Sequence, residues 1–123
     1  MKSLVNAILV LVLTGLLILL TVPLALEGRI AVVLSGSMGE ALPMGALALT
    51  IPIEPEMLQA GDIITFNPYW ADTEVTVSHR VAKVINNEEG QLAFQTKGDV
   101  NEEIDPWIMP AENVTGKVAF HIP

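Results

Sequence analysis

The chain opens with a block in which apolar positions do not alternate with polar ones. From Ser3 to Leu26 there is no charged residue, and most positions are Leu, Val, Ile or Ala. About 20 apolar residues in a helix cross a hydrocarbon core of about 30 Å. The block therefore predicts a transmembrane helix with slight tilt. Gly15 and Pro23 are tolerated in such a helix. A cleaved signal peptide fits less well. Its apolar region runs only about 7–15 residues, and a cut after Ala25 would put Pro23 where a small residue belongs.

After Gly28 the pattern changes to short apolar runs divided by Gly, Pro and Asn, which predicts strands. The runs are Arg29–Leu34, Ala46–Ile53, Asp62–Phe66, Thr73–Ile85, Leu92–Thr96 and Val114–Ile122. The Asn86–Gly90 turn cluster makes a hairpin of its two flanking runs. Ala111–Asn113 suggests one helical turn. The expected fold is mainly β: a small, partly open β-barrel-like domain over residues 29–123, with an N-terminal transmembrane anchor over residues 1–28. So small a domain has a modest core. Leu42, Met44 and Trp70 are candidates for apolar surface sheltered by a membrane.

Charge and composition narrow the function. Acidic residues number 14 and basic residues 6, a net charge of −8. That balance excludes a nucleic-acid partner, which needs Lys and Arg on phosphates, and argues against a basic surface on anionic lipid. The chain has no cysteine, hence no disulfide and no thiol nucleophile. His79 and His121 are too far apart in sequence to suggest a His-rich metal site. Neither metal nor cofactor is expected. Lys2 and the amino terminus, set against Arg29, favour an N-terminus inside and residues 27–123 outside, though by a narrow charge contrast.

Three places carry candidate chemistry. Ser37 lies in Ser35-Gly36-Ser37-Met38-Gly39, just after an apolar run. The tripeptide alone reads as an ordinary turn, but a nucleophilic serine also needs this kind of access and nearby backbone N–H donors. His79 lies in a strand-like run. Alone it is a structural histidine, yet an imidazole is the base that a serine hydroxyl requires near neutral pH. Lys83 is the rival base, since a desolvated lysine does the same work. Asp99, in Lys97-Gly98-Asp99, and Asp105, in Asp105-Pro106-Trp107, are the two carboxylates able to orient an imidazole. Asp99 reads equally well as a turn cap, and Glu102 and Glu103 as solvated charges.

In order along the chain stand Ser35-Gly36-Ser37-Met38, Gly61-Asp62-Ile63-Ile64-Thr65-Phe66, Ser78-His79-Arg80-Val81, Thr96-Lys97-Gly98-Asp99-Val100-Asn101, Asp105-Pro106-Trp107 and Glu112-Asn113-Val114-Thr115-Gly116-Lys117-Val118. This series resembles signal peptidase I, in the branch found in archaea, the endoplasmic reticulum and some Gram-positive bacteria. The resemblance covers roughly Val32 to Pro123. It implies a membrane serine endopeptidase that removes signal peptides from exported proteins, cutting after a small residue with another small residue two positions before it. Ser37 matches the family nucleophile and Ser35 a hydroxyl lining the oxyanion hole. His79 matches the histidine that replaces the bacterial general-base lysine. Asp105 matches the acid of the triad and Asp99 a second functionally important aspartate. Which of the two orients His79 stays open, with the family pattern favouring Asp105. The implied partners are preproteins bearing signal peptides, the lipid bilayer and, as an open alternative, partner subunits. The implied location is the cell membrane, single-pass, with the catalytic domain extracytoplasmic.

The sequence also departs from the family. Met38 is followed by Gly39 and Glu40 where relatives have Glu-Pro, which implies a more mobile loop. Many relatives continue beyond the final Ile-Pro into a second transmembrane helix, so a truncated chain and a single-span form are both open. Asn113-Val114-Thr115 fits a glycosylation acceptor, with ordinary turn chemistry the better reading. Two other functions compete: a Ser-Lys protease using Lys83 or Lys97, and a non-catalytic membrane-tethered β module that binds exported chains or partner subunits.

Overall fold

The structure is a computed structural model describing residues 1–72 and 75–123. Helix α1 spans Lys2–Ala25, and none of its residues is buried. At 1.5 Å per residue it is about 36 Å long, enough to cross a bilayer core. Among the described residues it is the one helix long and apolar enough to do so. The helix ends through the Gly28 N–H, which donates to the Pro23 carbonyl at 2.7 Å, with Glu27 in the left-handed region at φ 54°.

Seven strands follow among the described residues: β1 (Arg29–Val32), β2 (Leu47–Ile51), β3 (Ile63–Phe66), β4 (Val77–Asn86), β5 (Leu92–Lys97), β6 (Met109–Pro110) and β7 (Val114–Ile122). They form one antiparallel sheet in the order β1-β2-β7-β3-β4-β5-β6. The register shifts at Leu49/Thr50, Thr65/Phe66 and Val81/Lys83. Such bulges bend strands and raise their twist, and the sheet curls into a half-barrel. The mainly β expectation therefore holds.

Details differ from the sequence reading. The first three strands are shorter than their apolar runs, because 33–34, Ala46, 52–53 and Asp62 lie in turns or irregular backbone. The expected start of the fourth at Thr73 lies outside the described residues. β6 has no apolar run of its own and forms by pairing Met109 and Pro110 with Phe94 and Ala93. Ala111–Asn113 is a 3-10 turn, joined by two others at Gly39–Ala41 and Pro55–Met57.

The core has two parts. Leu58, Ile64, Phe66, Val81, Phe94 and Met109 fill the space under β3, β4 and β5. Met38, Leu42 and Ala48 fill a smaller one beside β2. Leu42 is fully buried, which corrects the expectation that it faces a membrane; Met44 and Trp70 are exposed. Its side chain is needed inside because the short turn after Ser37 must be held down by something apolar, and burying a Leu is worth about 2–3 kcal/mol.

Candidate active site

Ser37 stands in the connection between β1 and β2. Met38, only 1% exposed, packs with Leu42 and Ala48 and pins the turn from below. The Gly39 N–H donates to the Gly36 carbonyl at 3.1 Å, and the Ser37 carbonyl accepts the Val100 N–H at 3.1 Å. Gly39 adopts φ 56°, and a Cβ there would meet a Val100 methyl at 2.8 Å. The glycine that departs from the family pattern therefore lets Val100 close over a loop anchored on both sides.

His79 comes from β4, where Val77, His79 and Val81 share the inward face by the two-residue period of a strand. The residue is 7% exposed, and its ring lies edge-on to Phe66. Asp105 comes from the connection between β5 and β6 and is 6% exposed. The Asp105 N–H donates to the Thr96 carbonyl at 2.9 Å, which ties that connection to β5.

These elements bring three side chains into line. His79 Nε2 is 3.1 Å from Ser37 Oγ, and His79 Nδ1 is 2.5 Å from Asp105 Oδ2. Ser35 Oγ donates to Ser37 Oγ at 3.2 Å and accepts the Ser37 N–H at 3.2 Å. Ser35 therefore lies beside the Ser37 hydroxyl, with its proton free to turn towards another acceptor. A nucleophile, a base within reach of it and a carboxylate behind the base form the arrangement that activates a hydroxyl.

Asp99 lies elsewhere. Its carboxylate takes a two-pronged grip from Arg80, Nε to Oδ1 at 2.9 Å and Nη2 to Oδ2 at 2.8 Å, while Arg80 Nη1 donates to the Gly61 carbonyl at 2.7 Å. The guanidinium hydrogen bond holds the Asp99 carboxyl below its ordinary range, and the same bond raises Arg80. The rival bases are engaged otherwise: Lys97 Nζ donates to the Gly98 carbonyl, and Lys83 is exposed. Asn113 Nδ2 donates to the Asn67 carbonyl at 2.9 Å, so the amide of the glycosylation pattern serves a structural bond.

Two residues near the triad received no role from sequence. Thr96 Oγ1 donates to Asp105 Oδ2 at 2.7 Å, and Trp107 Nε1 donates to Thr96 Oγ1 at 3.2 Å. A signal for Thr96 existed: it follows Phe94 on the buried face of β5, and a buried hydroxyl must have a partner. No cluster of potential metal ligands occurs among the described residues.

A cleft of ≈ 990 Å³ runs past these groups, bounded by residues including Ser35, Ser37, Met38, Ala48, Thr65 and His79. β1, at the end of the sheet, lines it through Ala31 and Val32.

No family model matches the chain. Curated relatives do. The chain is 39% identical over 79 residues to the signal peptidase complex catalytic subunit SEC11C of Homo sapiens, and equally to those of Canis lupus familiaris and Mus musculus. The match takes in 64% of this chain and 40% of each relative's length.

Proposed function

We propose that the chain, similar to endoplasmic-reticulum-type signal peptidase catalytic subunits, is a member of the signal peptidase I family: a membrane-anchored serine endopeptidase that removes signal peptides from exported preproteins. The observation that carries this reading is the Ser37–His79–Asp105 line, with spacings of 3.1 and 2.5 Å, opening on a cleft. Residues 1–28 anchor it and residues 29–123 work on the extracytoplasmic side of the membrane. The membrane in which it resides and any partner subunits belong to the same proposal; the relatives are named as subunits of a complex.

The preprotein lies extended along the outer edge of β1, the strand at the end of the sheet among the described residues, making main-chain hydrogen bonds as an added strand. Met38, Leu42 and Ala48 beside Ser37 offer an apolar wall suited to a small side chain. Ser37 Oγ attacks the scissile carbonyl carbon as His79 Nε2 takes its proton. Asp105, accepting from Nδ1, steadies the imidazolium that forms. The Ser35 hydroxyl turns its hydrogen from Ser37 Oγ towards the oxyanion and donates to it, while its oxygen goes on accepting the Ser37 N–H. The carbon–nitrogen bond breaks as His79 returns the proton to the leaving amine. Water then attacks the acyl ester, losing its proton to His79, and the ester oxygen leaves as the Ser37 hydroxyl.

The test is cleavage of a preprotein by the full chain reconstituted in liposomes, alongside Ser37→Ala, with the new N-terminus sequenced. The expected result is a cut after a small residue that drops by on the order of 10⁶-fold in the variant. Equal cleavage by both would overturn the proposal.

A further inference from the structure

Behind Asp105 the hydrogen-bond chain continues inward. Thr96 is fully buried. Its hydroxyl accepts from the Trp107 indole at 3.2 Å and donates to Asp105 Oδ2 at 2.7 Å, the same oxygen that His79 Nδ1 meets at 2.5 Å. The direction of each bond follows from the donor inventory. An indole nitrogen donates and never accepts, and a hydroxyl has one hydrogen to give. With the indole as donor, the Thr96 oxygen acts as acceptor on that side and sends its hydrogen to Asp105. Asp105 Oδ2, accepting from Thr96, is met by His79 Nδ1 as a second donor. That leaves the lone pair of His79 on Nε2, facing Ser37 Oγ.

We infer that Thr96 and Trp107 are positioning residues that fix the proton arrangement of the Asp105–His79 pair, keeping Asp105 an acceptor and His79 in the tautomer whose free nitrogen faces Ser37. The inference rests on the proposed protease reading for its catalytic consequence. The role of Trp107 lies in its N–H, not its ring face. Its ring is nearly parallel to the imidazole (18°), but the centroids are 6.3 Å apart, beyond the reach of about 6 Å for a useful cation–π contact. The arrangement is also sheltered: with Thr96 inaccessible and Asp105 6% exposed, water competes poorly for these bonds, and low local dielectric strengthens each one.

The experiment compares the full chain with Thr96→Val, which keeps the shape and removes the hydroxyl, Thr96→Ser, which keeps the hydroxyl, and Trp107→Phe, which keeps a ring and removes the N–H. Two readouts are taken: preprotein cleavage in liposomes, and ¹⁵N spectra of the neutral imidazole in micelles. A His121→Gln background leaves His79 as the single imidazole. In the parent the ring proton should sit on Nδ1. Thr96→Val should shift population to the Nε2-protonated form and lower kcat roughly 10- to 100-fold with KM within about twofold, as expected for a misaligned catalytic group. Thr96→Ser should restore both readouts. Trp107→Phe should lower kcat roughly 2- to 10-fold, the scale of one lost hydrogen bond, and it carries the test should Thr96→Val fail to fold. A parent tautomer and parent kcat in both Thr96→Val and Trp107→Phe would overturn the inference, as would loss in Thr96→Val that Thr96→Ser does not restore. If the parent chain cleaves nothing, the protease reading falls, while the imidazole spectra still decide the relay.

Discussion

His79 and Arg80 are adjacent in β4 and point to opposite faces of the sheet, and each meets an aspartate from the segment that follows β5. On the inner face, His79 and Asp105 have side chains 9% and 6% exposed; on the outer face, Arg80 and Asp99 have side chains 36% and 29% exposed. Both pairs join a basic group to a carboxylate at hydrogen-bond distance. The difference lies in the surroundings. Away from water the interaction of charges is stronger, and a proton shift is felt by its neighbours. At the surface the same contact is weakened by solvent and salt. The lesson is that burial, more than pairing, distinguishes an aspartate suited to chemistry from one that fastens a strand to a loop.

The largest break of this comparison is to convert each aspartate to its amide. In the proposed mechanism Asp105→Asn puts an amide where His79 needs an acceptor, favours the wrong imidazole tautomer and should lower kcat by about 10⁴-fold, the scale seen when a triad loses its carboxylate. Asp99→Asn should leave kcat within a few-fold. Both are read in the liposome cleavage assay, and a loss in Asp99→Asn as deep as in Asp105→Asn would erase the distinction between the faces. A smaller effect joins the two regions. Gly98 precedes Asp99, and a Cβ built on it would lie 2.8 Å from the Ser37 carbonyl oxygen and 2.7 Å from Asn101 Nδ2. Gly98→Ala should push the Ser37 turn away from His79 and lower kcat about 10²-fold, with circular dichroism unchanged. Activity equal to the parent would show that the turn yields without moving Ser37 Oγ.

Much of this was legible in the sequence because it depends on local pattern. The uncharged run ahead of Glu27 marks a helix of membrane-spanning length, and alternation around Val77, His79 and Val81 marks a strand that turns His79 inward. The motif order named Ser37, His79 and the two aspartates as candidates, and the structure brings Ser37, His79 and Asp105 together. Asp99 and Asp105 were not separated by local pattern, and only the family resemblance favoured Asp105. The bonds that separate them depend on where the segment after β5 folds back, and that is set by the Asp105 N–H on the Thr96 carbonyl and the Val100 N–H on the Ser37 carbonyl. β6 was missed for a similar reason: two residues carry no periodicity, and only their pairing with Ala93 and Phe94 makes them a strand. Leu42 was misplaced because hydrophobicity alone does not distinguish a side chain facing lipid from one plugging a turn.

The outer pair gives the smallest and most specific prediction. The hydrogen bond from Arg80 holds the Asp99 carboxyl below its ordinary range in the folded chain, whereas in the unfolded chain it titrates near the usual value of about 3.9. A carboxylate depressed by folding adds stability that is present above the unfolded value and lost as pH falls through the folded one. The parent should therefore unfold at a higher temperature than Asp99→Asn near neutral pH, by roughly a few degrees at most given the exposure of the pair. The gap should begin to narrow below about pH 4 and close at lower pH. Added salt should shrink it at neutral pH, since ions screen an exposed pair. Thermal unfolding in micelles across pH and salt measures this directly. A gap of constant size down to acid and in high salt would mean that Asp99 acts through its shape and neutral hydrogen bonds, and the contrast between the two faces of β4 would then rest on packing instead of charge.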